Sequence, residues 1–208
     1  MQGMNEQARS GFTSGEHLPR LILPRRFGDA RGWFMETYSE ASALAEGITS
    51  RFVQDNQSFS AFQGTIRGLH YQRPPRAQAK LVRCVRGSIM DCAVDIRRGS
   101  PTYGRHVAAL LTAKGGEQLF VPIGFAHGFI TLEPDVEVAY KVTDTYAPDC
   151  EGGIAWNDPS LDIVWPLPVS GAVSSDKDRG LPRLAELESP FEYDGRPLVP
   201  LTAAGEMD

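Results

Sequence analysis

Two histidines placed beside glycines are the most informative chemical feature of this 208-residue chain. His70 and His127 each lie within two residues of a glycine, in strand-rich parts of the sequence. Histidine is the side chain best suited to take a proton from carbon near neutral pH. The same region contains Lys80 and Tyr140, a cation and a proton donor. This combination favours proton abstraction from carbon over metal chemistry.

Hydrophobic alternation predicts where Tyr140 points. Residues 136–143 form the clearest two-residue repeat in the chain, with Val136, Val138 and Val142 at one parity. Tyr140 shares that parity, whereas Lys141 has the opposite one. Since successive side chains of a strand point to opposite faces, we expect Tyr140 to point into the core and Lys141 to point outward.

The same parity rule places Lys80 on an inward face, together with Val82 and Cys84. A buried lysine is costly unless the interior contains water or an anion. Lys80 therefore indicates a polar cavity. Arg67 and His70 have opposite parities, so both can face that cavity only if a bulge or bend occurs at Gly68.

A further strand is predicted over residues 89–96, after a turn at residues 86–88, and two more over residues 106–112 and 117–121. In the first of these strands the apolar and polar positions alternate, which predicts one buried face and one solvent-exposed face. The two sets are Met90, Cys92, Val94, Ile96 and Asp91, Ala93, Asp95, Arg97.

Many short strands separated by turns predict an all-β antiparallel sandwich or barrel, most simply a jelly roll with few short helices. One helix is expected between Ser39 as N-cap and Gly47 as its stop. We predict a loose arm over residues 1–17 and a single domain over residues 18–208. Beyond about residue 158 the Pro-rich chain is expected to wrap over the barrel, with the last dozen residues poorly ordered.

Composition excludes several classes of function. A formal net charge of −5 argues against a general nucleic-acid binder. No run approaches the ~20 apolar residues of a membrane helix, and the first residues lack a signal-peptide core. Three cysteines without zinc spacing are expected to be reduced. These features predict a cytoplasmic protein without a membrane partner.

Ordinary structural roles remain alternatives for each candidate residue. His70 and His127 could be hydrogen-bonded structural histidines, Tyr140 a core tyrosine and Lys80 a surface lysine. Residues 175–178 alone read as a solvated loop. Metal binding is rejected, because the position two residues after His70 is Gln72 and no third ligand stands out.

The ordered set of motifs resembles the dTDP-4-dehydrorhamnose 3,5-epimerase family. The resemblance spans roughly residues 20–182. The segments that carry it are residues 27–36, 52–56, 66–72, 80–83, 95–97, 100–104, 124–129, 140–141, 156–159, 165–166 and 175–178. It implies a metal-independent, cofactor-free, homodimeric jelly roll of the cupin class. It also implies inversion of C3 and C5 of a dTDP-linked 4-keto-6-deoxyhexose, dTDP-4-dehydro-6-deoxy-D-glucose, to give dTDP-4-dehydro-L-rhamnose.

The resemblance also implies roles for individual residues. His70 would be the base, oriented by Asp178, while Lys80 would stabilise the enolate and Tyr140 would return the proton from the opposite ring face. Some ligand contacts are expected to cross the dimer interface. The residues implied to surround the substrate are Arg31, Glu36, Gln54, Asp55, Asn56, Arg67, His127, Glu151 and Lys177.

Three positions depart from the family pattern. Gln57 replaces a frequent histidine, Ile123 a frequent glutamate, and Thr145 the first residue of a frequent tyrosine pair. They leave open an epimerase acting on only one carbon of a related sugar nucleotide. A catalytically silent sugar-nucleotide-binding jelly roll is the alternative from another class, although such a protein has no need of an acid–base pair.

Overall fold

Two five-stranded antiparallel sheets form the computed structural model, which describes residues 16–196. Strands β1 to β5 are Arg20–Ile22, Arg26–Asp29, Gly32–Met35, Gln54–Ser60 and Ile66–Gln72, with helix α1 (Glu40–Ala45) between β3 and β4. Strands β6 to β12 are Lys80–Arg86, Ser88–Asp95, His106–Thr112, Gln118–Val121, Phe125–Thr131, Val136–Val142 and Glu151–Gly153, and helix α2 (Asp176–Arg179) follows them. Single 3-10 turns lie at Pro148–Cys150, Pro159–Leu161 and Leu184–Glu186.

The strand order identifies a jelly roll. Sheet one has the order β1-β9-β6-β11-β4, and sheet two has the order β12-β5-β10-β7-β8. All of these pairs are antiparallel. Consecutive strands β6 and β7 lie in different sheets, so the chain crosses between the layers at the turn around Gly87. Strands β2 and β3 form a separate hairpin. The predicted all-β antiparallel jelly roll with few short helices is confirmed.

The inner faces of the two sheets share one apolar core. From sheet one, Val82, Val136 and Val138 are buried in it, and from sheet two, Ala93 and Phe129. The alternation predicted for β11 is confirmed, because its three valines are buried and Tyr140 packs against the same core while remaining partly accessible. Burying such side chains against a second sheet is what stabilises a sandwich of this kind.

Strand β7 differs from its prediction, because both of its faces are buried. Asp91 and Ala93 point between the sheets, whereas Cys92 and Val94 lie in a second cluster with Phe191. The prediction of one solvent-exposed face is therefore wrong. The outer face of this strand is covered by a C-terminal segment that is distant in sequence, and the polar-looking face is the one that meets sheet one.

The C-terminal segment after β12 packs on the outside of sheet two. Trp165 and Phe191 are buried there, and isolated parallel bridges join Thr65 to Val173 and Arg98 to Glu192. The described residues of this segment, up to residue 196, lie against sheet two, and the wrapping of the whole segment stays a prediction. The predicted disorder of the last dozen residues lies outside the described part. We propose that residues 18–208 form one domain, and the shared packing of the described residues up to 196 supports this.

The N-terminal elements cover part of sheet one. Helix α1 begins after Ser39, whose side chain accepts a hydrogen bond from the Ser42 amide, and Gly47 follows its end at φ 75°. The predicted helix is confirmed. Most of the predicted arm, residues 1–15, lies outside the described residues, although Glu16 accepts a hydrogen bond from the Ser50 amide at 2.7 Å. No helix within residues 16–196 is long and apolar enough to cross a membrane.

Candidate active site

A cavity of about 490 Å³ lies between the two sheets, at the end where α2 approaches β5. It is lined by Ser58, Thr65, Ile66, Arg67, His70, Lys80, His127, Phe129, Tyr140, Val173, Ser174, Ser175, Lys177 and Asp178. Both sheets and the C-terminal segment contribute to this set. The four residues predicted to carry out chemistry, His70, Lys80, Tyr140 and Asp178, are therefore brought to one cavity.

His70 is paired with Asp178, which lies 108 residues further along the chain. Its Nε2 is 2.7 Å from Oδ1 of Asp178, and a carboxylate oxygen can only accept a hydrogen bond. Nε2 therefore carries a proton, and Nδ1 is left as the basic nitrogen. Burial opposes ionisation of Asp178, but hydrogen bonds from His70, the Gly68 amide and Ser175 hold the pKa of Asp178 below its ordinary value.

Helix α2 explains how Asp178 reaches His70. The Ser175 side chain caps the helix by accepting a hydrogen bond from the Asp178 amide at 3.1 Å. The carboxylate of Asp178 is turned toward β5 and is buried, while its neighbours Asp176 and Lys177 are exposed. The run that alone reads as a solvated loop is a short capped helix with one side chain inside the protein.

Lys80 is buried beside His70, as its parity predicts. Its Nζ donates a hydrogen bond to the His70 carbonyl oxygen at 3.2 Å. Burial lowers the pKa of Lys80 to about 8, although the carboxylates of Asp91 and Glu151 act in the opposite direction. Lys80 thus holds a positive charge near neutral pH in a site that disfavours it, which is useful where negative charge develops during a reaction.

Tyr140 enters the cavity from sheet one, whereas His70 enters it from sheet two. Tyr140 lies opposite Asn56 on β4 and Val82 on β6. Burial raises the pKa of Tyr140, against the opposing effect of the Arg67 charge, so its phenol keeps its proton at neutral pH. A proton donor and a basic nitrogen therefore line the same cavity from opposite layers.

A bulge in β5 lets Arg67 and His70 face the same cavity. His70 pairs with His127 and Arg67 pairs with Phe129, so three steps along β5 match two steps along β10. The extra residue reverses the parity, as expected for a bulge at Gly68. Gly68 has φ 131°, and an added Cβ would lie 2.6 Å from the Gly128 Cα. No other residue fits this close approach.

Arg67 links the two sheets at this bulge. Its Nε donates to the Ser60 hydroxyl at 3.1 Å, and its Nη2 donates to the Phe59 carbonyl oxygen at 2.8 Å. Both acceptors belong to β4 of sheet one. The guanidinium is therefore fixed at the cavity wall, where a planar, permanently charged group suits an anionic ligand.

His127 has a buried partner that the sequence analysis missed. Its Nε2 lies 2.7 Å from Oδ1 of Asp91, and both side chains are buried. Burial lowers the pKa of His127, while Asp91 opposes this effect. Asp91 shares its parity with Ile89 and Ala93 in an apolar strand, and this was the signal that could have marked it as inward-facing.

A second group of charged residues lies at the rim of the cavity. Lys177 contacts Glu151 at 2.6 Å, and the Tyr146 hydroxyl donates to Glu151 at 3.1 Å. Burial raises the pKa of Glu151, but the Lys177 and Tyr146 hydrogen bonds outweigh it and lower the pKa overall. Gln54 and Asn56 occupy the inward face of β4, joined by a 2.8 Å hydrogen bond, but they do not line the cavity.

Comparison with known proteins identifies the family of the chain. The family profile described as dTDP-4-dehydrorhamnose 3,5-epimerase matches residues 19–186. The chain belongs to this family. It is 49% identical over 174 residues to the dTDP-4-dehydrorhamnose 3,5-epimerase of Sinorhizobium fredii, a match that covers 84% of this chain and 89% of the relative. Members of this family are isomerases.

Two solved structures of epimerases share the fold. One is dTDP-6-deoxy-D-glucose-3,5-epimerase from Legionella pneumophila in complex with dTDP-4-keto-L-rhamnose, 42% identical with a TM-score of 0.79. That match covers 84% of this chain and 93% of the other. The other is the Bacillus anthracis epimerase with TDP and PPi bound, 48% identical with a TM-score of 0.77, covering 79% of this chain and 93% of that one.

Six ligand contacts implied by the resemblance to the epimerase family are absent from the cavity lining. Gln54, Asn56 and Glu151 are near it, whereas Asp55, Arg31 and Glu36 lie further away. Asp55 is on the outer face of sheet one, paired with Lys141 at 2.8 Å. Arg31 is exposed on the β2–β3 hairpin beside Asp29, and Glu36 accepts hydrogen bonds from serine side chains at the start of α1. Within one subunit these residues do not line the site.

The three departures from the epimerase family pattern also lie outside the cavity lining. Gln57 is on the outer face of sheet one and donates to Glu137 at 2.6 Å. Ile123 is exposed before Gly124, and the carbonyl of Thr145 accepts a hydrogen bond from Gln72 at 3.2 Å. Among residues 16–196, no three His, Cys, Asp or Glu side chains are grouped to hold a metal ion.

Proposed function

We propose that this protein inverts C3 and C5 of dTDP-4-dehydro-6-deoxy-D-glucose, giving dTDP-4-dehydro-L-rhamnose without a cofactor. The observation that carries the proposal is the placement of His70 and Tyr140 in one cavity on opposite sheets, with the buried Lys80 beside His70. Membership of the epimerase family supports the reaction and the dTDP-linked substrate. The roles of individual residues follow from the chemistry of that cavity.

His70 is proposed as the base. C3 and C5 are both adjacent to the C4 ketone, so their protons are acidic enough for a positioned neutral imidazole. The Asp178 hydrogen bond at Nε2 leaves Nδ1 to accept each proton, and the nearby carboxylate stabilises the imidazolium that forms.

Lys80 is proposed to stabilise the enolate. Removing either proton moves negative charge to the C4 oxygen, and an ammonium in a buried site interacts with that charge much more strongly than it would in water. Because this interaction strengthens as the charge develops, it lowers the barrier rather than merely binding the substrate.

Tyr140 is proposed to return the proton. Inversion requires that the proton arrive on the ring face opposite to the one from which it left. A donor on sheet one facing a base on sheet two meets that requirement, and the raised pKa of Tyr140 keeps the donor protonated. The phenolate that forms would then be reprotonated from solvent, and the His70 imidazolium would release its proton to solvent before the second inversion.

The charge of Lys80 predicts an alkaline limit to activity. The ammonium is lost as the pH rises through about 8, so we expect kcat/KM to fall about tenfold per pH unit above that value. Tyr140 does not explain such a limit, because its pKa is raised rather than lowered. The measurement is kcat/KM between pH 6.5 and 9.5 at constant ionic strength. A Lys80→Met variant should be slow and should lack this limit, and a wild-type limit unchanged in that variant would exclude Lys80.

Arg31 and Glu36 are proposed to complete the site of a second subunit in a homodimer. They lie on or just after a hairpin whose large apolar side chains Phe27, Trp33 and Phe34 are exposed. Such a patch on a separate two-stranded hairpin is typical of a protein–protein contact. Asp55 lies on the outer face of sheet one and is proposed to contribute at the same interface. Arg67, His127 and Lys177, which line the cavity, are proposed as substrate contacts within the subunit, and Gln54, Asn56 and Glu151 as further contacts at its margin.

Mixing two defective subunits tests this arrangement. Arg31→Ala should lower kcat/KM about 10- to 100-fold by removing a charge-assisted hydrogen bond to the diphosphate. His70→Ala should be nearly inactive. If Arg31 contributes to the site of the partner subunit, random reassembly of the two variants should restore about a quarter of wild-type activity. Half of the dimers would then be mixed, and each mixed dimer would contain one intact site. Failure of the mixture to exceed the Arg31→Ala subunits alone would place Arg31 in its own subunit's site or outside the mechanism.

Coupling to a dTDP-4-dehydrorhamnose reductase tests the function as a whole. NADPH oxidation that depends on this protein, with an L-configured product, is the expected result. A product inverted at one carbon would indicate the single-carbon alternative. Binding of dTDP without turnover would indicate the silent binding protein. We also propose a cytoplasmic location and no membrane or nucleic-acid partner, in keeping with the composition of the chain.

A further inference from the structure

Ser58 contains a buried hydroxyl that the protein itself does not use. Its Oγ is shielded from solvent and has no hydrogen-bond partner among the described residues. Ser58 is also one of the residues that line the cavity, so a rotation about its Cα–Cβ bond would bring this hydroxyl to a bound ligand. Buried polar groups are nearly always paired, so an exception at a cavity wall calls for an explanation in terms of what the cavity binds.

The hydroxyl of Ser58 differs from that of Ser60, the next serine on the same face of β4, because only the Ser60 hydroxyl has a hydrogen-bond partner within residues 16–196. Ser58 and Ser60 both point inward, two residues apart on the same face. The hydroxyl of Ser60 is occupied, because it accepts the hydrogen bond from Arg67 Nε at 3.1 Å. Ser58 lies between Ser60 and Asn56, the residue opposite Tyr140, and its own cross-strand neighbour is the apolar Val138. It is therefore positioned between the anchored guanidinium and the proposed acid.

Stability does not explain a serine at this position. An unpaired buried hydroxyl costs folding free energy, whereas an alanine of nearly the same shape would avoid that cost. Asp91 also has a buried carboxylate oxygen without a partner in the described part of the chain, but Asp91 is not part of the cavity lining. Ser58 is the residue with such an unpaired group that also belongs to the cavity lining.

We propose that the Ser58 hydroxyl forms a hydrogen bond with an oxygen of the bound sugar nucleotide and so contributes to substrate recognition. This rests on the proposed function and adds a contact to the same site. The hydroxyl can donate or accept, so the oxygen belongs either to the hexose, on the Tyr140 side, or to the diphosphate, on the Arg67 side. Either bond would satisfy a hydroxyl that has no partner in the described part of the chain.

Ser58→Ala should show a combination of effects that a structural serine would not. Thermal unfolding of the free variant should occur at the wild-type temperature or above it. Calorimetric Kd values for dTDP-glucose, which keeps the hexose but lacks the reactive ketone, should be about tenfold weaker. A dTDP Kd that weakens equally would assign the contact to the diphosphate, and an unchanged dTDP Kd would assign it to the hexose. Ser58→Cys, which fills the same space with a poor hydrogen-bonding group, should behave in the same way.

Ser88→Ala is the matched control, because the Ser88 hydroxyl donates a hydrogen bond to Glu133 and Ser88 does not line the cavity. Unchanged Kd values for both nucleotides in both Ser58 variants would overturn the proposal. A clear fall in the unfolding temperature of free Ser58→Ala would also overturn it, since the hydroxyl would then have a partner within the protein. Absence of turnover in the wild type would refute the proposed function, while the dTDP-glucose comparison would still decide the role of Ser58. Wild-type protein that bound neither nucleotide would overturn both.

Discussion

Replacement of His70 with alanine is expected to lower kcat by about a thousandfold or more, because a positioned general base contributes some 10²–10⁴ and water has no fixed place to substitute for it. The dTDP Kd should stay within about twofold of the wild-type value. The imidazole is hydrogen-bonded to Asp178 and is proposed to act on the sugar carbons, not to contact the nucleotide. Steady-state turnover and calorimetric titration with dTDP measure the two effects separately.

His106→Ala is the matched control for this substitution. His106 is also partly buried in a strand, but its Nδ1 donates to the Leu161 carbonyl oxygen at 3.0 Å and it lines a different cavity near β8. This variant should keep wild-type kcat. Full activity in the His70 variant would remove His70 from the mechanism, and equal losses in both variants would indicate damage to the fold.

Replacement of Tyr140 with phenylalanine is expected to separate proton removal from inversion. The base on sheet two and the charge of Lys80 remain, so C3 and C5 protons should still exchange with solvent. Without the phenol, the enolate should be reprotonated from the face of His70, and the starting configuration should be restored. Formation of the L-configured product should fall about 10²- to 10⁴-fold, the usual contribution of a general acid.

Proton NMR of the substrate pool in D₂O measures exchange, and a reductase-coupled assay measures inversion. Tyr103→Phe is the matched control, because Tyr103 is a partly buried tyrosine that lines the other cavity. That variant should invert at the wild-type rate. Normal product yield from Tyr140→Phe would show that another group donates the proton. Loss of both exchange and inversion would show that Tyr140 is needed before the enolate forms.

Local sequence patterns predicted those parts of the site that depend on local geometry. The two-residue period of a strand is set by the backbone alone, so parity predicts inward-pointing Lys80 and Tyr140 without reference to long-range contacts. The same rule exposed a conflict between Arg67 and His70, and the bulge at Gly68 resolves it. Asp55 has the parity opposite to that of the inward-facing Gln54 and Asn56, which agrees with its place on the outer face of β4.

Long-range packing could not be predicted in this way. Strand β7 seemed half exposed because the segment that covers its outer face begins about 60 residues later, and Asp91 was therefore missed. The position of Asp178 was implied only by family resemblance, because nothing in its local sequence shows that α2 docks on β5. Hydrogen bonds between distant segments, such as that of His70, depend on the complete fold.

The most direct test of the central claim is proton NMR of dTDP-4-dehydro-6-deoxy-D-glucose incubated with the wild-type protein in D₂O. Both carbons lie next to the ketone and share one base in the proposed mechanism. The proposal therefore predicts loss of both the C3 and the C5 proton signals, with deuterium at both positions of an L-configured product. Exchange at only one carbon, or at neither, would contradict it.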